Sequence, residues 1–198
     1  MNGPDTELLA AVARVVAAFQ VLGVEYLIGG SVASSVFGEP RQTVDADLIA
    51  RIFGRHAEPL VQKLSGEFYA DLPSIIKAIQ TQASFNLIHF DTATKVDVFV
   101  RWRDPFAQSQ FERRREKVIG ESSELKLFFA SAEDTVLAKL EWYRKGGCVS
   151  EKQWRDLLGV LKVQSNSLDR DYLLRWAETL GVSDMLQRAL AEAGISST

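Results

Sequence analysis

The sequence predicts an α/β (α+β) fold, in which a mixed sheet with helices on one side is followed by an all-α region. Three observations predict it. β-rich runs alternate with helical-period segments as far as residue 129; a Gly29-Gly30-Ser31 corner joins a strand to a helix; and beyond residue 130 only helical periodicity remains. The chain is therefore divided into a sheet-bearing region, 1–130, and a C-terminal helical region, 131–198, expected to close a cleft.

Each element has a local reason. Leu8, Leu9, Val12, Val15, Val16, Phe19 and Leu22 recur at helical spacing, with Asp5 or Thr6 placed to cap the start and Gly23 to end the helix. Residues 24–28 are a short β-rich run that stops at the glycine pair, and 31–37 start a second helix closed by Gly38, Glu39 and Pro40. Residues 43–50 set Val44, Ala46 and Leu48 against Thr43, Asp45 and Asp47, the period of a strand with one polar face. Residues 55–64 and 73–80 read as helices. Residues 84–90 and 95–101 read as strands, and the polar Asp91-Thr92-Ala93-Thr94 between them suits a hairpin turn. Next come a charged helix over 105–117, an edge strand over 125–129, and helices over 131–145, 150–163, 169–180 and 182–193.

Composition excludes more than it identifies. With 46% apolar and 25% charged residues the chain can bury a core, so intrinsic disorder is excluded. A net charge of -3 argues against non-specific coating of nucleic acid, which needs an excess of Lys and Arg. Residues 1–5 have no basic start and residues 8–22 are interrupted by Arg14 and Gln20, so neither a signal peptide nor a membrane span is expected, and the expected location is cytoplasmic. Cys148 has no partner for a disulfide, and with only His56 and His89 beside it the chain lacks ligands for structural zinc. Any metal should be oxygen-bound.

Residues two apart on a strand point the same way, so Asp45 and Asp47 present two carboxylates on one face. Asp97, between Val96 and Val98, supplies a third from another strand, and the three converge if the strands are neighbours. Clustered carboxylates are tolerable around a cation, and oxygen donors suit Mg²⁺ or Mn²⁺. Such a set can hold two ions that activate an attacking hydroxyl and stabilise a pyrophosphate leaving group, which is nucleotidyl transfer. Gly30 permits close approach, while the Ser31 hydroxyl and the amides opening the next helix can donate to triphosphate oxygens.

Leu27-Ile28-Gly29-Gly30-Ser31, then Thr43-Val44-Asp45-Ala46-Asp47-Leu48, then Val96-Asp97-Val98 resembles the signature of the polymerase-β-like nucleotidyltransferase superfamily. In the second half, Ser131-Ala132-Glu133-Asp134, Leu137-Ala138-Lys139-Leu140, Arg144 and Ser150-Glu151-Lys152 leading to Asp156 are similar to AbiEii-type toxins and related uncharacterised bacterial nucleotidyltransferases. The resemblance implies a nucleotidyltransferase fold and transfer of a nucleoside monophosphate from a nucleoside triphosphate. It implies metal at Asp45, Asp47 and Asp97, and nucleotide contacts from Gly29, Gly30, Ser31, Lys139, Arg144 and Asp156, with Lys139 also catalytic. Three residues separate Lys152 from Asp156 where the group's pattern has four. It also implies an RNA acceptor such as tRNA and a toxin-antitoxin or phage-defence role with a cognate antitoxin protein. A small-molecule, aminoglycoside-type nucleotidyltransferase and a non-catalytic antitoxin or binding module are the alternatives.

Helical geometry places Lys139 at the edge of the apolar arc of Val136, Leu137 and Leu140, beside Tyr143, and Arg144 within it. A snorkelling lysine and an arginine at a frayed helix end compete with the nucleotide reading. On the next helix, Trp154, Leu157, Leu158 and Leu161 mark the buried side and set Lys152 and Asp156 opposite, where an ordinary surface pair competes. Arg113, Arg114 and Arg115, with Arg101 and Arg103, form either a solvated face or a basic patch with Trp102 or Phe106 for stacking. His89 and Cys148 read as packing residues, and Glu133 and Asp134 as favourable charge in a helix's first turn.

Overall fold

The computed structural model describes residues 4–119 and 125–195. In chain order it begins α1 (Pro4–Leu22), β1 (Tyr26–Ile28), α2 (Gly30–Phe37), β2 (Asp45–Ala50) and α3 (Gly54–Leu64). It continues β3 (Phe68–Tyr69), α4 (Leu72–Thr81), β4 (Ser84–His89), β5 (Lys95–Val100), α5 (Pro105–Arg113), β6 (Arg115–Ile119) and β7 (Leu125–Phe129). Four helices follow: α6 (Ala132–Lys145), α7 (Glu151–Gln164), α8 (Arg170–Leu180) and α9 (Ser183–Glu192). The side chains of Asp5 and Thr6, expected to cap α1, lie outside the described residues.

These elements form two compact units, one ending at Gly29 and resuming over Gln42–Phe129, the other made of Gly30–Arg41 and the chain from Ala130 on. A single cut at residue 130 misses that α2 packs with α6 and α7. The reason is local: Val32, Ala33 and Phe37 of α2 are buried, and Gly38 approaches the α7 backbone so closely that a Cβ there would lie 2.7 Å from the Val160 nitrogen.

The first unit holds a seven-stranded mixed sheet in the order β3-β4-β5-β2-β1-β7-β6. β2 runs parallel to β5 with Asp47 level with Asp97 and Asp45 level with Lys95. β4 and β5 form the expected antiparallel pair, and Ala93 in their turn has φ +54. The alternation in β2, β4 and β5 buries Ala46, Leu48, Phe85, Leu87, Val96 and Val98 on one face. α1 lies along β2 and β7, with Val12, Val15, Val16 and Phe19 fully buried, and α3 packs on α1 and α4.

Two strand assignments correct the sequence reading. The charged helix expected over 105–117 ends at Arg113; Arg114 is extended, and residues 115–119 pair with β7 as a strand. β7 is consequently no edge strand, because it lies between β1 and β6. The two-residue β3 was also unforeseen, and it pairs with the end of β4.

In the second unit α6 packs against α2, α7, α8 and α9, so its N-terminal half is buried nearly all round. Ser131 caps α6 by accepting from the Asp134 amide. Asp134, fully buried, accepts from the Ser131 hydroxyl at 2.9 Å and the Tyr172 hydroxyl at 2.6 Å, and Glu133 accepts from the Asp169 amide. The two acids thus join α6 to α8 as well as facing the positive end of their helix.

Candidate active site

The strand register builds a candidate site in the first unit. Asp45, Asp47 and Asp97 are half-buried on the face of β2 and β5 opposite the core. The Lys95 ammonium joins them, 2.9 Å from Asp97. That hydrogen bond chiefly, with the charges of Asp97, Asp45 and Asp47, holds the Lys95 proton more tightly than usual, against the opposing effect of burial. Lys95 was not foreseen as part of the site, although it lies two residues before Asp97 on β5 and so shares its face; the parallel register also brings it level with Asp45.

Among the described residues no three acidic, histidine or cysteine side chains close on one ion as they stand. In kind, however, the donors fit a hard divalent cation: they are carboxylate oxygens, and their concentrated negative charge already draws in an ammonium. Gly29 ends β1, and its amide donates to the Asp47 carbonyl at 2.9 Å. A Cβ on Gly29 would lie 2.8 Å from Ile49 Cδ1, a contact that rotation of the isoleucine relieves.

The second unit holds a polar cluster of its own. Gly30 opens α2 with φ +55, a left-handed conformation that favours glycine. Asp156 is the centre of the cluster. It is buried, and it accepts from Arg41 Nε at 2.7 Å, Arg41 Nη2 at 2.8 Å and Lys139 Nζ at 2.7 Å. Lys139 also donates to Gln153 Oε1, and Arg41 Nη2 donates to Ser31 Oγ at 2.6 Å. Burial pushes the Asp156 carboxyl up, but the bonds and charges of Arg41 and Lys139 outweigh it and leave it below its ordinary value. The bond to Asp156 raises Arg41 in turn.

Asp156 therefore does not form the surface pair with Lys152, which is exposed. The helical wheel assumed one neighbour for α7, whereas α2, α6 and α9 all pack on it and bury a wider arc. Arg144 is exposed at the end of α6 and donates to the Gly181 carbonyl at the C-terminus of α8, outside the Asp156 cluster. Arg41 is the functional candidate that sequence reasoning missed; its only signal was position, between the Gly-Gly-Ser corner and the paired aspartates.

The basic patch is partly committed elsewhere. Arg101 pairs with Asp104, Arg103 lies over the Trp102 ring and Arg114 pairs with Glu25. Phe106 is a buried core residue rather than a stacking platform. His89 packs on Phe68 and bonds Thr92, whereas Cys148 is exposed with φ +61 rather than packed.

Known structures place this architecture. The antibiotic-resistance factor ANT(2'')-Ia aligns over 96% of this chain and 97% of its own, with TM-score 0.57 and 16% identity. Its complex with adenylyl-2''-tobramycin aligns over 89% and 97% with the same score and identity. An antigenic nucleotidyltransferase-like protein from Paracoccidioides brasiliensis aligns over 94% and 93%, with TM-score 0.54 and 18% identity. The chain has the nucleotidyltransferase fold. No protein-family profile and no curated protein matches the sequence. The likeness thus rests on fold, and on that fold the three aspartates occupy two adjacent parallel strands. Among the described residues no helix is long and apolar enough to cross a membrane.

Proposed function

We propose that the protein transfers a nucleoside monophosphate from a nucleoside triphosphate to an acceptor hydroxyl, releasing pyrophosphate. The observation that carries this reading is the register that sets Asp45, Asp47 and Asp97 on one face of two adjacent strands, on a nucleotidyltransferase fold. These three residues would hold Mg²⁺ or Mn²⁺, which when bound supplies positive charge against the phosphates and the developing oxyanion. The Gly30 amide and Ser31 hydroxyl donate to phosphate oxygens, and Gly29 supports that turn by its bond to Asp47. Lys139 supplies a cation to the nucleotide. Arg144, bonded to Gly181, and Asp156, bonded to two cations, take supporting parts.

In the transfer, the acceptor oxygen forms a bond to the α-phosphorus as the bond to the α–β bridging oxygen breaks. Asp97 receives the hydroxyl proton, and pyrophosphate carries away the released electron pair. The acceptor we propose is an RNA such as tRNA, and the role is the toxin half of a toxin-antitoxin or phage-defence pair with a cognate antitoxin. The Ser131 to Asp156 pattern of the second unit supports this, and Arg115 exposed on the edge strand β6 offers a phosphate contact.

The test is transfer of label from each α-³²P nucleoside triphosphate, with Mg²⁺ or Mn²⁺, into total RNA, protein and small molecules, with Asp45→Asn/Asp47→Asn as control. Label in RNA from the intact protein alone supports the proposal. Label in the small-molecule fraction replaces the acceptor with an aminoglycoside-type one, and nucleotide binding without transfer points to a binding module.

A further inference from the structure

Arg41 has a geometry that the transfer reading does not use. Its Nε and Nη2 address the two oxygens of Asp156, the fork-to-carboxylate arrangement that fixes the plane of a guanidinium. The same Nη2 donates to Ser31 Oγ. A guanidinium only donates, so the serine must accept there, and its single proton points elsewhere. Serines within a helix usually turn that proton back to a carbonyl one turn earlier, as Ser34 does to Gly30 and Ser35 to Ser31. Ser31 stands in the first turn of α2, with no helical carbonyl behind it, and its hydroxyl makes no other hydrogen bond among the described residues.

We propose that Arg41 is a positioning residue for the triphosphate: anchored by Asp156, it occupies Ser31 as an acceptor so that the serine's one proton is presented to a phosphate oxygen. Arg41 acts through Ser31 and does not itself touch the nucleotide. Both of its forked bonds go to Asp156, so what it contributes is direction. The inference rests on the nucleotide-binding reading above and adds a residue to it.

The test is a double-mutant cycle on binding. Calorimetry would measure the affinity of the intact chain, Ser31→Ala, Arg41→Met and the double variant for non-hydrolysable analogues of the four nucleoside triphosphates with Mg²⁺. Thermal midpoints would show that each variant is folded. Each single change should weaken binding about tenfold, the worth of one hydrogen bond to a charged group, and the double variant should bind no worse than either. Arg41→Lys, which keeps the charge and cannot fork, should not restore affinity. If Arg41→Met fails to fold, the same cycle run with Arg41→Lys carries the same expectation. Losses that multiply in the double variant overturn the inference, because Arg41 then contacts phosphate independently of Ser31, and so does native affinity in a folded Arg41 variant. An intact chain that binds none of the analogues overturns the nucleotide reading itself, and this inference with it.

Discussion

Replacing Asp156 with Asn keeps the side-chain volume and one acceptor oxygen while removing the charge that two cations share. The Asp156 and Lys139 side chains are 5% and 4% exposed, so the lysine keeps Gln153 and loses its buried carboxylate. Removing one partner of a buried ion pair costs about 3–5 kcal/mol. Two features reduce that figure: Arg41 is 25% exposed and can turn toward water, and the asparagine oxygen still accepts one bond. We therefore expect a loss of about 2–3 kcal/mol, or about 5–10 °C in melting temperature for a chain of this size. Urea unfolding followed by tryptophan emission is a suitable assay, because Trp142, Trp154 and Trp176 belong to the second unit and Trp102 alone to the first. Lys139→Met, which leaves the Arg41 fork in place, should cost less, about 1 kcal/mol. An Asp156→Asn variant within about 0.5 kcal/mol of the native protein, the range of ordinary surface substitutions, would refute the argument and remove the anchor assigned to Arg41.

Asp45→Asn should leave the unfolding free energy from urea titration in chelator unchanged or raised by less than about 1 kcal/mol, since it relieves like-charge repulsion while Lys95 keeps Asp97; a clear loss would show that Asp45 has a structural bond. Lys95→Met should tighten Mn²⁺ binding about three- to tenfold by electron paramagnetic resonance, and an unchanged affinity would show the ammonium to be an incidental neighbour. Burial first, and then Arg55, push His56 below its ordinary value, while its Nδ1 accepts from the Phe53 amide. The unfolded chain therefore takes up the proton first: stability is fully present above about pH 6.5 and falls as the pH drops through the lower folded value. Urea midpoints between pH 7.5 and 5 should follow that slope in the native protein and flatten in His56→Asn. The depressed Asp156 carboxyl has the same sign in a lower window, its contribution being lost as the pH falls below about 4 through its folded value, so Asp156→Asn should flatten acid unfolding.

What was legible in the sequence was what repeats over a few residues. The α1 stripe, the alternation in β2 and β5 and the polar turn between β4 and β5 are local patterns, and the element types they imply were read directly. What pairs with what was less accessible. Residues 114–117 carry charges that suit a helix surface, yet β7 presents an unpaired edge, and ladder hydrogen bonds to it draw the segment into β6. The three aspartates were visible as a motif, and the same alternation puts Lys95 on the face of Asp97; only its level with Asp45 depends on a parallel register that no local pattern encodes. Asp156 was assigned to the wrong face because a wheel describes one helix against one neighbour. Arg41 belongs to no helix or strand, so no periodicity marks it.

The two units dispose of charge in opposite senses, and that asymmetry bears on what each can bind. On the sheet face three carboxylates meet one ammonium. In the helical cluster one carboxylate meets two cations. Carboxylate oxygens are the donors a hard divalent ion takes, and guanidinium and ammonium groups are the donors a phosphate oxygen takes. Lys95 has 38% of its side chain exposed and can turn to water when stronger positive charge arrives, whereas Asp156 is buried and hydrogen-bonded to both of its cations. Exchange is thus possible on the sheet face and strongly opposed in the helical cluster. For this reason Lys95→Met should tighten a metal without unfolding the sheet, while Asp156→Asn should weaken the fold of the unit that holds it.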